Sequence, residues 1–247
     1  MGETTEIEAA GGTAEAYLTG APGSPGVLLF IDGIGLRPQI ETMADRIAEW
    51  GYVVLAPNVF YRDGKAAELA PTTDLREPGA REAFFAGLGD RIPGYTPDKS
   101  GPDTEAWMRA LLEHASDGPV AVTGYCMGVR LALRAAGQFL GTVAAVGGFH
   151  GGGLVTDAPD SPHLSIADST ADYVFGHADN DRGMTLDNVA ELEETLQAAG
   201  RPHLNEVYPD APHGYTMADT SMYQEAGAER HFRELEALLT RTIRTPA

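Results

Sequence analysis

The chain has 247 residues, 43% of them hydrophobic, and it carries a formal net charge of −19 at pH 7. This length suits a single α/β domain, and the acidic balance argues against binding to nucleic acid or to anionic membranes. No run of about 18 apolar residues occurs, so no transmembrane helix is expected. The acidic N-terminal stretch lacks the basic and apolar segments of a secretory signal, which predicts a cytoplasmic location.

Short apolar runs alternate with amphipathic runs, a pattern typical of a mostly parallel sheet with helices on both faces. Residues 5–19 give a weak signal for an N-terminal strand or hairpin. Further strands are predicted at 26–31, 52–56, 119–123, 142–148, 171–175 and 205–208. Helices are predicted at 38–51, 104–116, 129–139, 185–200 and 225–243. We therefore expect one α/β domain over residues 1–247.

Residues 62–104, called the excursion below, are the least regular part of the chain. They are rich in proline, glycine and charge, and only the stretch around 78–87 is compatible with short helices. Excursions of this length between core elements often form lids or pocket walls. A surface loop is the alternative interpretation.

The only cysteine of the chain, Cys126, lies at the centre of Gly124-Tyr125-Cys126-Met127-Gly128, called the elbow below. A lone cysteine is more often a small buried core residue than a reactive one. Here an apolar strand leads into the elbow and an amphipathic helix leaves it, which is the nucleophile elbow of the α/β-hydrolases with sulfur in place of oxygen. The following helix N-terminus favours a thiolate. The context therefore predicts a nucleophile.

A cysteine nucleophile needs a base and an acid that orients the base, and in this fold both follow it in the chain. His213 is the predicted base, because it lies in a turn between the last strand and the last helix. His231 is expected at the surface of a helix and His203 in a structural position. His150 opens a glycine-rich loop at a strand end, and two alternatives are left open for it: it lines the pocket, or it has no part in the site. Asp181 is favoured over Asp179 as the acid, and the other is expected to cap a turn.

Two backbone amides are expected to form an oxyanion hole. One belongs to Met127, the residue after the nucleophile, and the other to Gly33, in the turn after the first core strand. The histidines lack the His-Glu-x-x-His spacing of a zinc site, and the single cysteine excludes an internal disulfide. Neither a metal nor an organic cofactor is predicted.

Three separated stretches resemble the dienelactone hydrolase family: LLFIDGIGLRPQIETMADRIAEWGYVVLAPNVFYR, GYCMGVRLAL and PDAPHGY. The resemblance covers residues from about 26 to 240. It implies an α/β-hydrolase fold and a Cys-His-Asp triad, here Cys126, His213 and Asp181, acting on lactones and esters. Family members hold the resting thiol against a glutamate, whose position is taken here by Asp32.

The resemblance also implies arginines that bind a substrate carboxylate. One family position is occupied here by Met217, and Arg81 or Arg76 could supply the other. Asp32, Arg81 and Tyr125 are therefore predicted to bind substrate. The side chains whose placement around Cys126 matters most are Arg81, Arg130, Tyr125, Phe84 and Tyr61.

The function predicted is hydrolysis of lactones or activated carboxylic esters, with a small molecule as the partner and the protein a monomer or a small homo-oligomer. A thioesterase is one alternative, because a thiol nucleophile suits that reaction too. A non-catalytic module that binds a small ligand is the other, since Asp32 and Met217 depart from the family pattern.

Overall fold

The computed structural model describes residues 2–244, and its centre is one eight-stranded β-sheet. The strand order is β1-β2-β4-β3-β5-β6-β7-β8. The strands are β1 Glu3–Ala9, β2 Gly12–Thr19, β3 Gly26–Phe30, β4 Val53–Pro57, β5 Val120–Tyr125, β6 Val143–Phe149, β7 Asp172–His177 and β8 His203–Val207.

Strands β1 and β2 form the antiparallel hairpin predicted for residues 5–19, and β2 also pairs antiparallel with β4. Every other neighbouring pair in the sheet is parallel. The core strands β3, β4 and β5 are buried along their whole length, as expected for strands covered on both faces. Their carboxyl ends meet at one edge, where ligand sites of open α/β sheets lie.

Helices cover both faces of the sheet, which confirms the predicted α/β-hydrolase architecture. The helices Pro38–Glu49 and Glu225–Thr242 share one face of the sheet. There Arg46 pairs with Glu229, and Trp50 packs on Phe232. The helices are α1 Pro38–Glu49, α2 Ala66–Leu69, α3 Ala80–Ala86, α4 Pro97–Leu112, α5 Gly128–Gln138, α6 Leu186–Ala199 and α7 Glu225–Thr242. The helices that contact the other face include α4, α5 and α6.

Several element bounds differ from the sequence-based prediction. Helix α4 begins at Pro97 rather than at residue 104, although Pro102 lies inside it. The earlier start is stabilised because Asp103 is fully buried and accepts hydrogen bonds from Tyr61, Arg62 and Tyr95. Strand β8 begins at His203, and a short 3₁₀ helix, Pro162–Ile166, was not predicted. None of the helices within residues 2–244 is both long and apolar enough to cross a membrane.

Candidate active site

The elbow has the strand–turn–helix geometry that the sequence predicts. β5 ends at Tyr125, α5 begins at Gly128, and Cys126 between them has a φ of 55°, a conformation that costs energy for a residue with a side chain. A Cβ on Gly124 would lie 2.3 Å from the carbonyl oxygen of Gly128, and one on Gly128 would lie 2.5 Å from that of Phe30. Only glycine permits this close approach of strand and helix.

The structure brings Cys126, His213 and Asp181 together from three separate loops. The Sγ atom of Cys126 lies 3.1 Å from Nε2 of His213, and Nδ1 of His213 lies 2.6 Å from Oδ2 of Asp181. The other carboxylate oxygen of Asp181 accepts a hydrogen bond of 2.8 Å from the amide of Gly183. This is the hydrogen-bonded order of nucleophile, base and orienting acid.

The electrostatics of these groups favour a thiolate–imidazolium pair. Burial alone would lower the pKa of His213, but its hydrogen bonds to Asp181 and Cys126 outweigh burial and raise the pKa to about 10. Burial raises the pKa of Cys126, yet the hydrogen bond and charge of His213 lower it overall. The hydrogen bond from His213 likewise outweighs burial and lowers the pKa of Asp181. The hydrogen bonds and charges of these three residues therefore favour transfer of the proton from Sγ of Cys126 to Nε2 of His213.

The two amides predicted for an oxyanion hole, those of Met127 and Gly33, have different surroundings. The Met127 amide contacts the Cys126 thiol and helps to lower its pKa. In the neighbouring turn Asp32 Oδ1 accepts hydrogen bonds from the amides of Ile34 and Gly35, whereas the Gly33 amide donates to no protein acceptor within residues 2–244. A side chain of the excursion, Ile92, covers Gly33, with its Cδ1 2.5 Å from where a Cβ would be.

Asp32 is held by an arginine that the sequence analysis missed. Both Asp32 oxygens accept from Arg37, at 2.7 and 3.2 Å, and the same guanidinium donates to Asp219 at 2.6 and 3.1 Å. Arg37 is 4% exposed. It also lies 3.4 Å from the sulfur of Met217. The cluster ties the turn after β3 to the segment after His213, a long-range pairing that nothing in the local sequence of Arg37 signals.

A narrow cavity of about 10 Å³ reaches the sulfur of Cys126. That is room for about one water. Asp32, Met217 and Thr220 form part of its wall, and the excursion contributes Arg81 and Phe85. The guanidinium of Arg81 lies 4.8 Å from the centre of the Phe85 ring.

His150 also lines the cavity, which was one of the two alternatives left open for it. Its ring centre lies 5.3 Å from that of His213, and its Nε2 is 2.7 Å from the hydroxyl of Thr216. Burial is the main reason that its pKa lies well below the ordinary value, so the ring is neutral. Its backbone φ of 41° shows that the loop after β6 is also strained next to the site.

Two predicted placements are wrong because the side chains point into the core. Tyr125 was predicted to bind substrate, but it is fully buried, stacks on Phe149 and has its hydroxyl 3.3 Å from Nε2 of His231. His231 was expected at the surface and is also fully buried, because α7 packs this face against β6 and β7. Burial lowers the pKa of His231 to about 3.

Several other side chains considered in the sequence analysis lie away from Cys126. Phe85 lines the cavity in place of Phe84, and the hydroxyl of Tyr61 binds Asp103 at the base of the excursion. Arg76 is exposed and pairs with Asp74, away from the cavity. His203 is half-buried and bonds to Glu193, a structural position as expected.

Asp179, the alternative acid, does not contact His213. Its carboxylate accepts a hydrogen bond of 3.0 Å from the amide of Asp210. This is the turn-capping role expected for whichever of Asp179 and Asp181 does not bind the histidine. Across residues 2–244, no group of three or more His, Cys, Asp or Glu side chains is arranged to hold a metal ion.

Comparison with known proteins agrees with the geometry. The model of the dienelactone hydrolase family matches residues 14–243. A carboxymethylenebutenolidase of Rhodococcus opacus is 26% identical over 207 residues, which cover 83% of this chain and 75% of that enzyme.

Solved structures share the fold over nearly their whole length. A dienelactone hydrolase-like promiscuous phosphotriesterase from metagenomic libraries superposes with a TM-score of 0.78 at 17% identity, covering 98% of this chain and 99% of that one. A dienelactone hydrolase of Anabaena variabilis gives a TM-score of 0.62 at 17% identity, with 99% of each chain covered. The chain therefore belongs to the dienelactone hydrolase family and is a hydrolase.

Proposed function

We propose that the protein hydrolyses lactones and activated carboxylic esters through a covalent thioester on Cys126. The observation that carries this proposal is the chain of hydrogen bonds from Cys126 to His213 and on to Asp181, at 3.1 and 2.6 Å, in a strained elbow. A small-molecule ester or lactone is the proposed partner.

In the first half of the reaction the Cys126 thiolate attacks the carbonyl carbon. The carbonyl electrons move onto oxygen, where the amides of Met127 and Gly33 stabilise the developing charge by about 3 kcal/mol per donor. As the tetrahedral intermediate collapses, the carbon–oxygen bond to the alcohol breaks and Nε2 of His213 gives its proton to the leaving oxygen. Asp181 keeps the imidazole in the orientation that this transfer needs.

In the second half, neutral His213 takes a proton from water, and the hydroxide attacks the thioester. The carbon–sulfur bond breaks, the acid leaves, and the thiolate–imidazolium pair is restored. A thiolate is a good leaving group, so a tetrahedral intermediate formed from an amide would expel the thiolate rather than the amine. The proposal therefore favours substrates whose alcohol is itself a good leaving group, such as enol lactones and aryl esters.

The surroundings assign positions to two further residues. Arg81 lies at the same cavity as His213 and is proposed to bind an acidic group on the leaving part of the substrate. Asp32 was predicted to touch substrate, but its oxygens are occupied by Arg37 and by two amides. We propose that Asp32 positions the turn that carries Gly33, and that the thiol rests against His213.

Thiol alkylation tests the proposal, because Cys126 is the only cysteine in the chain. Iodoacetamide is expected to abolish hydrolysis of an enol lactone and of an aryl ester in proportion to the thiol consumed. A substrate present during alkylation should slow both losses equally. Full activity after complete modification would remove Cys126 from the mechanism, and a strong preference for thioesters over oxygen esters would favour a thioesterase.

A further inference from the structure

Two half-buried arginines beside the proposed catalytic site have no carboxylate partner. In the part of the chain from residue 2 to 244, the other half-buried arginines each have an acidic side chain within 4.0 Å, whereas Arg81 and Arg130 have none. Acidic residues outnumber basic ones 36 to 17, so partners are plentiful. A partly buried guanidinium without a carboxylate partner binds water or a ligand in its place.

Arg130 lies one turn of α5 after Cys126. Its Cδ atom is 3.9 Å from the point where a side chain on Gly153 would begin, so its stem runs along the loop after β6. Burial lowers the pKa of Arg130, and the negative charge of Cys126 opposes that effect. The guanidinium is thus close enough to feel the nucleophile's charge but makes no ion pair with an acidic residue.

The Arg130 side chain lines a second cavity, of about 130 Å³, beside Met127. A water needs only about 10–15 Å³, so this cavity can take a short chain that ends in a carboxylate. Arg134, one turn further along the same face of α5, lies at the wall as well and reaches Asp160 at 3.5 Å. The remaining wall includes Ile92, Tyr95 and Thr96 of the excursion.

The two unpaired arginines line two different cavities, Arg81 the one at Cys126 and His213, and Arg130 the one at Met127. His213 protonates the leaving oxygen, so the alcohol part of a substrate lies towards Arg81, whose guanidinium is 3.9 Å from the point where a side chain on Gly214 would begin. The acyl part stays on Cys126 with its carbonyl oxygen at the Met127 amide. We therefore assign the cavity that Met127 shares with Arg130 to the acyl part.

We propose that Arg130 binds an acidic group on the acyl part of the substrate, so that half-esters of dicarboxylic acids are preferred. Hydrolysis would consume one water and release the alcohol, a dicarboxylate and one proton. This inference rests on the proposed function. A guanidinium forms short, charge-assisted hydrogen bonds with a carboxylate, and its local charge offsets the repulsion that a chain of net charge −19 exerts on an anion.

The test compares a half-ester, 4-nitrophenyl glutarate, with the neutral 4-nitrophenyl butyrate. Arg130→Gln is expected to lower kcat/KM for the half-ester by about 10- to 100-fold, through KM, because one charged hydrogen-bonding pair is lost. Its effect on the neutral ester should stay within about twofold. The matched controls are Arg134→Gln, which should cost less, and Arg109→Gln, at an exposed arginine, which should cost nothing.

A second measurement separates this inference from the proposed function. Cys126 is alkylated with neutral N-ethylmaleimide or anionic 3-maleimidopropionate, and the ratio of the two rates should favour the anion less in Arg130→Gln. That result without turnover of any ester would support the subsite and overturn the proposed hydrolysis. Equal losses on both esters, no loss at all, or a half-ester preference lost only in Arg81→Gln would overturn the subsite.

Discussion

Two walls enclose Cys126, and they are built differently. The wall at the sheet edge carries Cys126 and His213, which follow β5 and β8 and lie against the buried core. The wall formed by the excursion has no fully buried residue between Leu75 and Ser100, and its contacts are a few side chains such as Ile92 over Gly33. The comparison indicates that the groups proposed for the chemistry lie at rigid positions, whereas the excursion that helps to enclose them is loosely packed.

The largest effect is expected from changing His213 in the rigid wall. In the proposed mechanism His213→Gln removes the general base, the general acid and the positive partner of the thiolate, so kcat should fall by about 10⁴-fold or more. His203→Gln, at a half-buried histidine bonded to Glu193, is the control and should retain activity. A loss of less than tenfold in His213→Gln would break the distinction between the two walls.

The pH dependence of Cys126 alkylation tests the proposed ion pair between Cys126 and His213. Because hydrogen bonding to His213 lowers the pKa of Cys126, the thiolate should persist below the range of an ordinary thiol. The ion pair should last until His213 loses its proton as the pH rises through about 10. In His213→Gln burial and the charge of Asp32 still raise the pKa of Cys126, and only the Met127 amide is left to lower it, so the midpoint of alkylation should move up and the rate at pH 7 should fall. An unchanged midpoint would contradict the ion pair.

A smaller loss is expected at the acid that orients His213. Asp181→Asn keeps the shape but presents the wrong partner to Nδ1, and kcat should fall by about 10²- to 10⁴-fold. Asp179→Asn is the matched control, since that carboxylate accepts only from the Asp210 amide, and it should leave kcat nearly unchanged. The opposite ranking of the two variants would reassign the acid.

The cluster around Arg37 is expected to control stability more than chemistry. Arg37→Met leaves the buried Asp32 without its partner, and the free energy of unfolding should fall by about 3–5 kcal/mol. Urea denaturation measures this, with Arg76→Met, at the exposed pair with Asp74, as a control without measurable change. Equal stability of the two variants would show that the buried pair does not hold the turn.

The smallest effect is expected in the excursion. Ile92→Ala uncovers Gly33 without touching the thiol, and kcat/KM for a neutral aryl ester should change by about two- to fivefold. Leu88→Ala, at a half-buried position outside both cavities near Cys126, is the control. A loss as large as that of Asp181→Asn would mean that the excursion also positions the reacting groups.

Sequence reasoning works best where local patterns dictate structure. The buried strands, the elbow at Cys126 and the hairpin near the N-terminus each have a short, local signal, and all three are present. The order of elements along the chain also leads to His213. These predictions succeed because period, turn chemistry and chain order are properties of neighbouring residues.

The predictions fail where a contact joins distant segments. Arg37 and Asp219 lie 182 positions apart, and no local pattern announces their ion pair. Tyr125 and His231 face the core because two elements pack there, which helical or strand period alone does not reveal. The early start of α4 depends on partners of Asp103 that lie in another part of the chain.

Helix α5 combines both kinds of position within its first turn. Gly128 cannot gain even a methyl group without striking the carbonyl oxygen of Phe30, whereas Arg130, two residues on, extends into open space beside Met127. Position 128 therefore tolerates no larger side chain, whereas position 130, half a turn further along the same helix, has room for other side chains. With the proposed roles, an exchange of the side chain at position 130 would change which substrates bind while Cys126, its turn and its strand stay unchanged.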